Sequence, residues 1–167
     1  MLVDYTEQDT EDKDDKDTLA MAMNVLSGNV EHKPTVLLVD DDRDLLTFVR
    51  EIFMDDFNVL IESDGVKAWD NTIVNFPDII VSDVMMPNMT GIELCKKVKS
   101  DMRTSHIPLI LLTAKGSQND ILEGISTGAD DYIQKPFNME YLLLRTKKIL
   151  EMRESLRKKF ILDMKSE

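Results

Sequence analysis

The stretch Ile79-Ile80-Val81-Ser82-Asp83-Val84-Met85-Met86-Pro87 decides how the rest of this chain is interpreted. Three branched apolar residues lead into one carboxylate, and turn-forming residues follow at once, so Asp83 is expected at the carboxyl end of a buried strand. In an open parallel sheet, that end of the strand faces the crevice where ligands bind. A carboxylate there is poorly solvated unless a cation meets it, so Asp83 is the first candidate for a functional residue.

Polar side chains also follow three other apolar runs of the chain. Asp40 and Asp41 come after the first run, Thr113 after the fourth and Lys135 after the fifth. The carboxyl ends of parallel strands lie at one edge of a sheet, so these residues are expected to gather around Asp83.

Short apolar runs alternate with amphipathic segments from Pro34 onward, which predicts an α/β fold. The predicted strands are residues 35–39, 58–61, 79–83, a run opened by Pro108, and 132–134. The first two predicted helices are residues 44–54 and 65–74. The third begins at the capping box Thr90–Glu93, the fourth is capped within 117–120 and stopped by Gly128, and the long last helix is capped by Asn138. This alternation needs crossover connections, so we expect a doubly wound, five-stranded parallel sheet in flavodoxin-like order, with strands one, three and four at its centre.

The charge of the chain is concentrated at its beginning. The formal net charge is −12, and residues 1–32 hold nine acids against two lysines. We interpret residues 1–32 as an acidic flexible tail or linker, in which 18–26 are apolar enough for a short helix or a docking segment. A basic stripe is lacking, so direct nucleic-acid binding is not expected.

Other classes of protein are disfavoured by composition as well. No apolar run reaches membrane-spanning length, and the acidic N-terminus differs from a signal peptide, so neither membrane insertion nor secretion is expected. The lone Cys95 lies between Leu94 and Val98 in an amphipathic segment and is expected to be a core thiol. A cytoplasmic location fits this composition.

Three carboxylates in one crevice repel one another, which raises their proton affinities unless a cation binds. Mg2+ is the favoured cation, because it accepts one or two protein carboxylates and leaves coordination for a phosphoryl oxygen. With the ion bound, Asp83 can stay ionised and attack phosphorus to form an acyl phosphate. Lys135 and Thr113 suit the phosphoryl oxygens as a point charge and a hydroxyl donor.

Four motifs, in this order, resemble those of the response-regulator receiver domain of two-component signalling. They are Val39-Asp40-Asp41-Asp42, Asp83-Val84-Met85-Met86-Pro87 followed by Gly91, Leu112-Thr113-Ala114-Lys115, and Asp131-Tyr132-Ile133-Gln134-Lys135-Pro136-Phe137. The resemblance covers about residues 34 to 150. It implies that Asp83 accepts a phosphoryl group from a phosphohistidine of a sensor histidine kinase or a phosphotransfer domain.

The resemblance also implies a metal site and a switch. Mg2+ would be held by Asp41 directly, by Asp40 chiefly through water, by Asp83, and by the backbone carbonyl of Met85. Thr113 and Lys135 would hold the phosphoryl oxygens. Tyr132 matches an aromatic position whose rotamer changes as the threonine moves, and Lys135-Pro136 matches a cis peptide of the family.

On this interpretation the chain is a phosphorelay switch rather than an enzyme. The face made by helix four, strand five and helix five would change its affinity for a partner, and that face or the C-terminal helix would form a homodimer. Positions that affect the lifetime of the phosphoryl group in the family are Met85 and Lys115 here. An apolar side chain cannot orient water, so Met85 predicts slow self-hydrolysis.

We divide the chain into the tail 1–32, a receiver domain 33–150 and a helical extension 151–167. Leu142, Ile149 and Leu156 are spaced by seven, which predicts that the last helix continues as an amphipathic extension. This organisation resembles the receiver segment of a hybrid sensor histidine kinase.

Two other classes share parts of the pattern. A phosphohydrolase of the haloacid-dehalogenase kind also forms an aspartyl phosphate, but it places a second acid two residues after the nucleophile, where this chain has Met85. A flavodoxin-like FMN binder shares the fold but needs a phosphate-cradling loop after strand one, where Asp40-Asp41-Asp42 repels phosphate. Turnover of a generic phosphoester or flavin absorbance would support these alternatives.

Overall fold

The computed structural model describes residues 18–20, 22–23, 32–114 and 118–166. The chain forms two compact units, Met1–Lys33 and Pro34–Glu167. In the first unit, residues 18–20 and 22–23 are helical and exposed. The expectations for the acidic residues 1–17, for Lys115 and for a helix cap at Ser117 lie outside the described residues.

The second unit alternates strands with helices. The strands are β1 (Thr35–Val39), β2 (Asn58–Glu62), β3 (Ile79–Asp83), β4 (Leu109–Thr113) and β5 (Asp131–Gln134), and the helices are α1 (Arg43–Phe53), α2 (Gly65–Asn75), α3 (Gly91–Ser100), α4 (Gln118–Thr127) and α5 (Met139–Lys165). Where the sequence predicted both ends of an element, the observed ends differ by at most one residue.

The sheet is entirely parallel, and its strand order is β2-β1-β3-β4-β5. The predicted flavodoxin-like order is therefore confirmed, with β1, β3 and β4 at the centre. Every residue of β3 and β4 is buried, as the continuous apolar character of these strands predicts.

Side-chain oxygens cap the helices and fix where they begin. Asp42 Oδ1 accepts hydrogen bonds from the backbone N–H groups of Asp44 and Leu45, each at 3.1 Å, and so starts α1 immediately after the acid pair. The predicted capping box at Thr90 and Glu93 is present at the start of α3. α5 begins at its predicted cap, Asn138, and Gly128, with φ +85°, follows the end of α4.

Two apolar clusters cover the two faces of the sheet, because alternate strand residues point in opposite directions. Val36 and Leu38 of β1 join α1 and α5 on one face, whereas Leu37 and Val39 join α2 and α3 on the other. Cys95 is fully buried in the second cluster, which confirms it as a core thiol. The helices therefore leave only the edges of the sheet open to solvent.

The last helix runs well past the sheet. α5 has 27 residues, and Leu142 and Ile149 are buried, whereas residues 151–166 are all exposed. Leu156 is 64% and Phe160 66% exposed. The predicted limit between domain and extension at residue 150 thus falls inside one continuous helix.

Among the helices in the described part of the chain, none is both long enough and apolar enough to span a bilayer.

Candidate functional site

The parallel register brings the predicted site residues to one edge of the sheet. Val39 lies beside Ser82, so the next residues along the two strands, Asp40 and Asp83, lie side by side. On the other side of β3, Asp83 is paired with Leu112, so Thr113 is the next residue of the neighbouring strand. The backbone N–H of Lys135 donates to the carbonyl of Thr113 at 2.7 Å, which places the fourth predicted residue at the same edge.

Three carboxylates form the centre of this edge. Oxygens of Asp40, Asp41 and Asp83 all lie within 4.8 Å of one another. Asp40 and Asp83 are only 3% and 8% exposed, whereas Asp41 faces solvent. The backbone N–H of Asp42 donates to Asp40 Oδ1 at 2.9 Å and holds that carboxylate in place.

Lys135 is the cation that faces this acid cluster. Its Nζ lies 2.9 Å from Asp40 Oδ2 and 3.3 Å from Asp83 Oδ2. Burial lowers the pKa of Lys135, but the hydrogen bond from Lys135 to Asp40 and the charges of both carboxylates outweigh it, so the net pKa is raised above its usual 10.5. Lys135 is therefore protonated at neutral pH and bridges two of the three acids.

One lysine does not balance three acids. Burial raises the pKa of Asp83 above its usual 3.8, and the neighbouring Asp40 raises it further. Lys135 and the N–H of Val84 act in the opposite direction without overcoming this shift. The site therefore holds more negative charge than its own cation compensates.

The donor set fits a hard divalent cation. Carboxylate oxygens are the ligands that Mg2+ and Ca2+ prefer, and Mg2+ is commonly held by one or two carboxylates with several waters. The convergence of Asp40, Asp41 and Asp83 supplies such oxygens. A bound cation would offset both the burial and the charge of Asp40 that raise the pKa of Asp83.

Two hydroxyl groups, one on β4 and one on β5, are buried without a partner among the described residues. Within the residues that the structure describes, Thr113 Oγ1 and the phenol oxygen of Tyr132 make no hydrogen bond. Thr113 is 1% exposed and ends β4 beside the acid cluster. A buried donor without an acceptor is costly, so an acceptor beside the Thr113 hydroxyl would be favourable.

Met85 lies two residues beyond Asp83, and its side chain is 65% exposed. The role of its backbone carbonyl as a metal ligand stays a prediction. The predicted cis peptide at Lys135-Pro136 is present.

Gly91 is a neighbour of the site whose role the sequence did not explain. A Cβ on Gly91 would lie 2.0 Å from the carbonyl oxygen of Asp83, so α3 begins directly against the backbone of that residue. Any side chain here would displace Asp83 or α3. The only local signal is the glycine itself, directly after the cap residue Thr90.

Comparison with known proteins identifies a family with this arrangement. The model of the response regulator receiver domain matches residues 36–147. Histidine kinase P4 of Formosa agariphila is 45% identical over 130 residues, which are 78% of this chain and 10% of that protein. Response regulator ArlR of Staphylococcus aureus is 38% identical over 116 residues, which are 69% of this chain and 52% of that protein.

A solved structure, the receiver domain of the Francisella response regulator 1452, is similar in fold as well. It has a TM-score of 0.65 and 32% identity, and the match covers 71% of this chain and 98% of that one. The chain therefore spans a small part of the kinase, about half of ArlR and nearly all of this isolated domain.

Receiver domains are signalling switches rather than classical enzymes, they interact with histidine kinases or phosphotransfer partners, and they generally use Mg2+ at an acidic pocket. The family match covers well over half of this chain, and the acid cluster with its lysine lies where the fold places a ligand crevice. The chain belongs to the response regulator receiver domain family of two-component signalling.

Proposed function

We propose that this protein is the phosphoacceptor switch of a two-component phosphorelay and that Asp83 is the acceptor. The observation that carries the proposal is the position of Asp83, a nearly buried carboxylate that faces Lys135 at 3.3 Å beside two further acids. A carboxylate oxygen of Asp83 attacks the phosphorus of a phosphohistidine. The new P–O bond replaces the P–N bond, and the donor imidazole leaves with its electron pair and takes up a proton.

The acid cluster would hold Mg2+ through Asp40, Asp41 and Asp83, with the backbone carbonyl of Met85 as a further ligand. When bound, the ion neutralises charge on the carboxylates and the phosphoryl oxygens. Asp83 stays ionised in that state and keeps its lone pairs for attack on phosphorus.

Lys135 and Thr113 are proposed to hold the phosphoryl oxygens. Lys135 already contacts Asp83 and carries a full charge, so it can follow the oxygens as they arrive. The Thr113 hydroxyl has no partner to give up, since it is buried and unbonded among the described residues. A phosphoryl oxygen would give it the acceptor that it lacks.

The output is proposed to be a change in partner affinity. Thr113 is drawn toward the phosphoryl group, Tyr132 follows, and the face made by α4, β5 and α5 changes. Partners are a sensor histidine kinase or phosphotransfer domain as donor and, at that face or along the C-terminal helix, a second copy of the chain. Nucleic acid is not expected to bind directly.

The proposed organisation is a receiver domain at residues 33–150, preceded by an acidic tail and followed by the helical extension 151–167. Because the chain matches 10% of a histidine kinase, it is also proposed to correspond to the receiver segment of a hybrid sensor.

The test is intact mass after incubation with acetyl phosphate and Mg2+, with Asp83→Asn alongside. We expect one phosphoryl group on the parent protein and none on the variant. Asp78→Asn is the matched control, since Asp78 lies at the opposite edge of the sheet and accepts a hydrogen bond from the Thr35 backbone. Equal uptake by the parent and Asp83→Asn would disprove the assignment.

A further inference from the structure

Tyr132 packs with the apolar cluster on the α2 and α3 face of the sheet. Its ring is half-buried, and its hydroxyl is fully buried without a partner among the described residues. Burial, followed by the nearby Cys95 and the acids at 130 and 131, raises the pKa of Tyr132 to about 12. The Tyr132 ring is therefore packed in an apolar environment, whereas its hydroxyl has no hydrogen-bond partner among the described residues.

Gly124 of α4 lies against the edge of the Tyr132 ring and leaves the space that the ring occupies. A Cβ built on Gly124 would lie 2.5 Å from Cε1 of Tyr132, 3.3 Å from its Cζ and 3.2 Å from Cδ1 of Leu111 on β4. No real Cβ approaches a carbon atom so closely. Glycine is a poor helix former, and here the missing side chain is the space that the ring edge fills.

Two opposing effects act on the ring. Burial of an aromatic ring between α4 and β4 favours the observed position. Burial of an unbonded hydroxyl opposes it, because the same hydroxyl would be hydrated if the ring turned outward. The two effects oppose each other, and the space at Gly124 is a condition for the inner position of the ring.

We propose that Gly124 keeps open a slot between α4 and β4 for the Tyr132 ring, and that a side chain at this position moves the ring out to the surface. Gly124 would then set the position of Tyr132, the switch residue of the proposed function. Only its consequence for signalling rests on that function; the slot itself does not.

The outward ring would join an apolar surface. Leu122 and Ile125 of α4 are 66% and 59% exposed, and Tyr141 and Leu144 of α5 are 51% and 63% exposed. Because β5 follows α4 and precedes α5 in the chain, an outward Tyr132 ring would add apolar area to the face that these elements make. Closing the slot would therefore alter contact with any partner that binds there.

The test compares Gly124→Ala with Ser126→Ala in the full chain by NMR, without phosphoryl donor or metal. Ser126 is exposed on the same helix, and its substitution places no atom in the slot. In the parent and Ser126→Ala we expect nuclear Overhauser effects between the Tyr132 ring and the Leu111 methyl groups. Gly124→Ala should lose them, and their retention in folded Gly124→Ala would overturn the proposal.

Tyr132→Phe should act in the opposite direction. It removes the unbonded hydroxyl and keeps the ring, so the ring signals to Leu111 should strengthen relative to the parent. Weaker signals in Tyr132→Phe would contradict the balance on which the slot depends.

A thermal denaturation cycle covers the case in which Gly124→Ala does not fold. In a Tyr132→Ala background the slot is empty, so Gly124→Ala should raise the midpoint by roughly 3 to 5 °C through helix propensity alone. In the parent background the ring opposes this gain, so a smaller rise, a fall or failure to fold supports the slot. Equal rises in both backgrounds would refute it.

Intact mass with acetyl phosphate separates this inference from the proposed function. Gly124→Ala should take up one phosphoryl group like the parent, because Gly124 belongs to α4 and not to the acid cluster. If the parent itself takes up none while the ring signals behave as expected, the slot stands and the phosphoacceptor assignment fails.

Discussion

Asp83 and Asp130 are two partly buried acids at opposite edges of the same sheet. Asp83 ends β3, whereas Asp130 directly precedes β5. Their side chains are 12% and 20% exposed. Each faces one lysine, Lys135 at 3.3 Å and Lys99 at 2.8 Å respectively.

The remaining neighbours of the two acids differ. Asp130 Oδ2 also accepts a hydrogen bond from the backbone N–H of Leu109 at 2.8 Å, and its Oδ1 accepts one from Arg153. Burial raises the pKa of Asp130, but Lys99, the Leu109 N–H and Arg153 together outweigh burial and leave it below 3.8. Asp83 instead lies beside Asp40 and Asp41. Burial, followed by the charge of Asp40, leaves its pKa raised.

Burial alone therefore does not determine whether an acidic side chain stabilises the fold or remains available to a ligand. At the Asp130 edge, cations and N–H groups satisfy the carboxylate and tie α3, β4 and α5 together, so this edge stabilises the fold. At the Asp83 edge, negative charge exceeds the charge of Lys135, and the Thr113 hydroxyl has no partner among the described residues, so a ligand would find unsatisfied groups there. We therefore expect substitutions at the two edges to have opposite effects on stability.

The largest effect is expected at Asp130. Asp130→Asn removes the charge that Lys99 and Arg153 face, so it should lower the free energy of unfolding by about 2 to 3 kcal/mol. Urea denaturation measures this change. Glu123→Gln, which removes an acid paired with Lys96 on the exposed surface, is the control and should cost less than about 1 kcal/mol. Similar losses in both variants would remove the distinction between a satisfied buried acid and a surface pair.

The effect of Mg2+ on the free energy of unfolding provides the next test, at the edge that holds Asp83. At a concentration 100-fold above its dissociation constant, a ligand adds about 2.7 kcal/mol to the free energy of unfolding. We expect a gain of this kind from Mg2+ in the parent and little gain in Asp83→Asn. Without Mg2+, Asp83→Asn should instead be more stable than the parent by on the order of 1 kcal/mol, because one repelling charge is gone. A destabilised variant in metal-free buffer would contradict the repulsion.

The pH dependence of the two substitutions should be opposite in sign. The folded state holds a proton on Asp83 more tightly than the unfolded state, so its ionisation costs stability as pH rises from 3.8 through the raised pKa. The benefit of Asp83→Asn should therefore grow over that window. Asp130 contributes stability above pH 3.8 and loses it as pH falls through its lowered pKa, so the cost of Asp130→Asn should shrink there. Metal-free urea denaturation from acid to neutral pH measures both, and parallel profiles would refute the assignment.

Sequence periodicity was sufficient for the Asp83 edge. Apolar runs located the strands, and a parallel sheet places their carboxyl ends together, so Asp40, Asp83, Thr113 and Lys135 could be predicted to meet. The local capping signals at Thr90 and Asn138 were likewise confirmed. These features depend on neighbouring residues or on the topology alone.

The Asp130 edge could not be predicted in this way. Lys99 lies 31 positions before Asp130 and Arg153 lies 23 positions after it, and no spacing in the sequence relates the three. The contact of Gly91 with the Asp83 carbonyl and that of Gly124 with Tyr132 depend on distances between packed elements. Such contacts become visible only once the helices are placed on the sheet.

The smallest expected effect concerns how long the proposed phosphoryl group persists. Met85 is exposed two residues after Asp83, and its thioether is at most a weak acceptor that orients an attacking water poorly. Met85→Asn places an amide there that can accept and donate hydrogen bonds to water, so the phosphorylated lifetime should shorten a few-fold. The decay of the added mass after removal of acetyl phosphate measures the lifetime. Met102→Asn is the matched control. Met102 is 93% exposed and precedes the amino end of β4, whereas Asp83 is at the carboxyl end of β3.

An unchanged or longer lifetime in Met85→Asn would show that access of water to Asp83 is limited elsewhere. Stability should stay within about 0.5 kcal/mol of the parent in both methionine variants, because each side chain is exposed. A shorter lifetime at equal stability would therefore identify a local effect on hydrolysis. A shorter lifetime in Met85→Asn but not in Met102→Asn would also sharpen the contrast between the two edges. An exposed substitution would then change phosphoryl hydrolysis only where it lies close in sequence to Asp83.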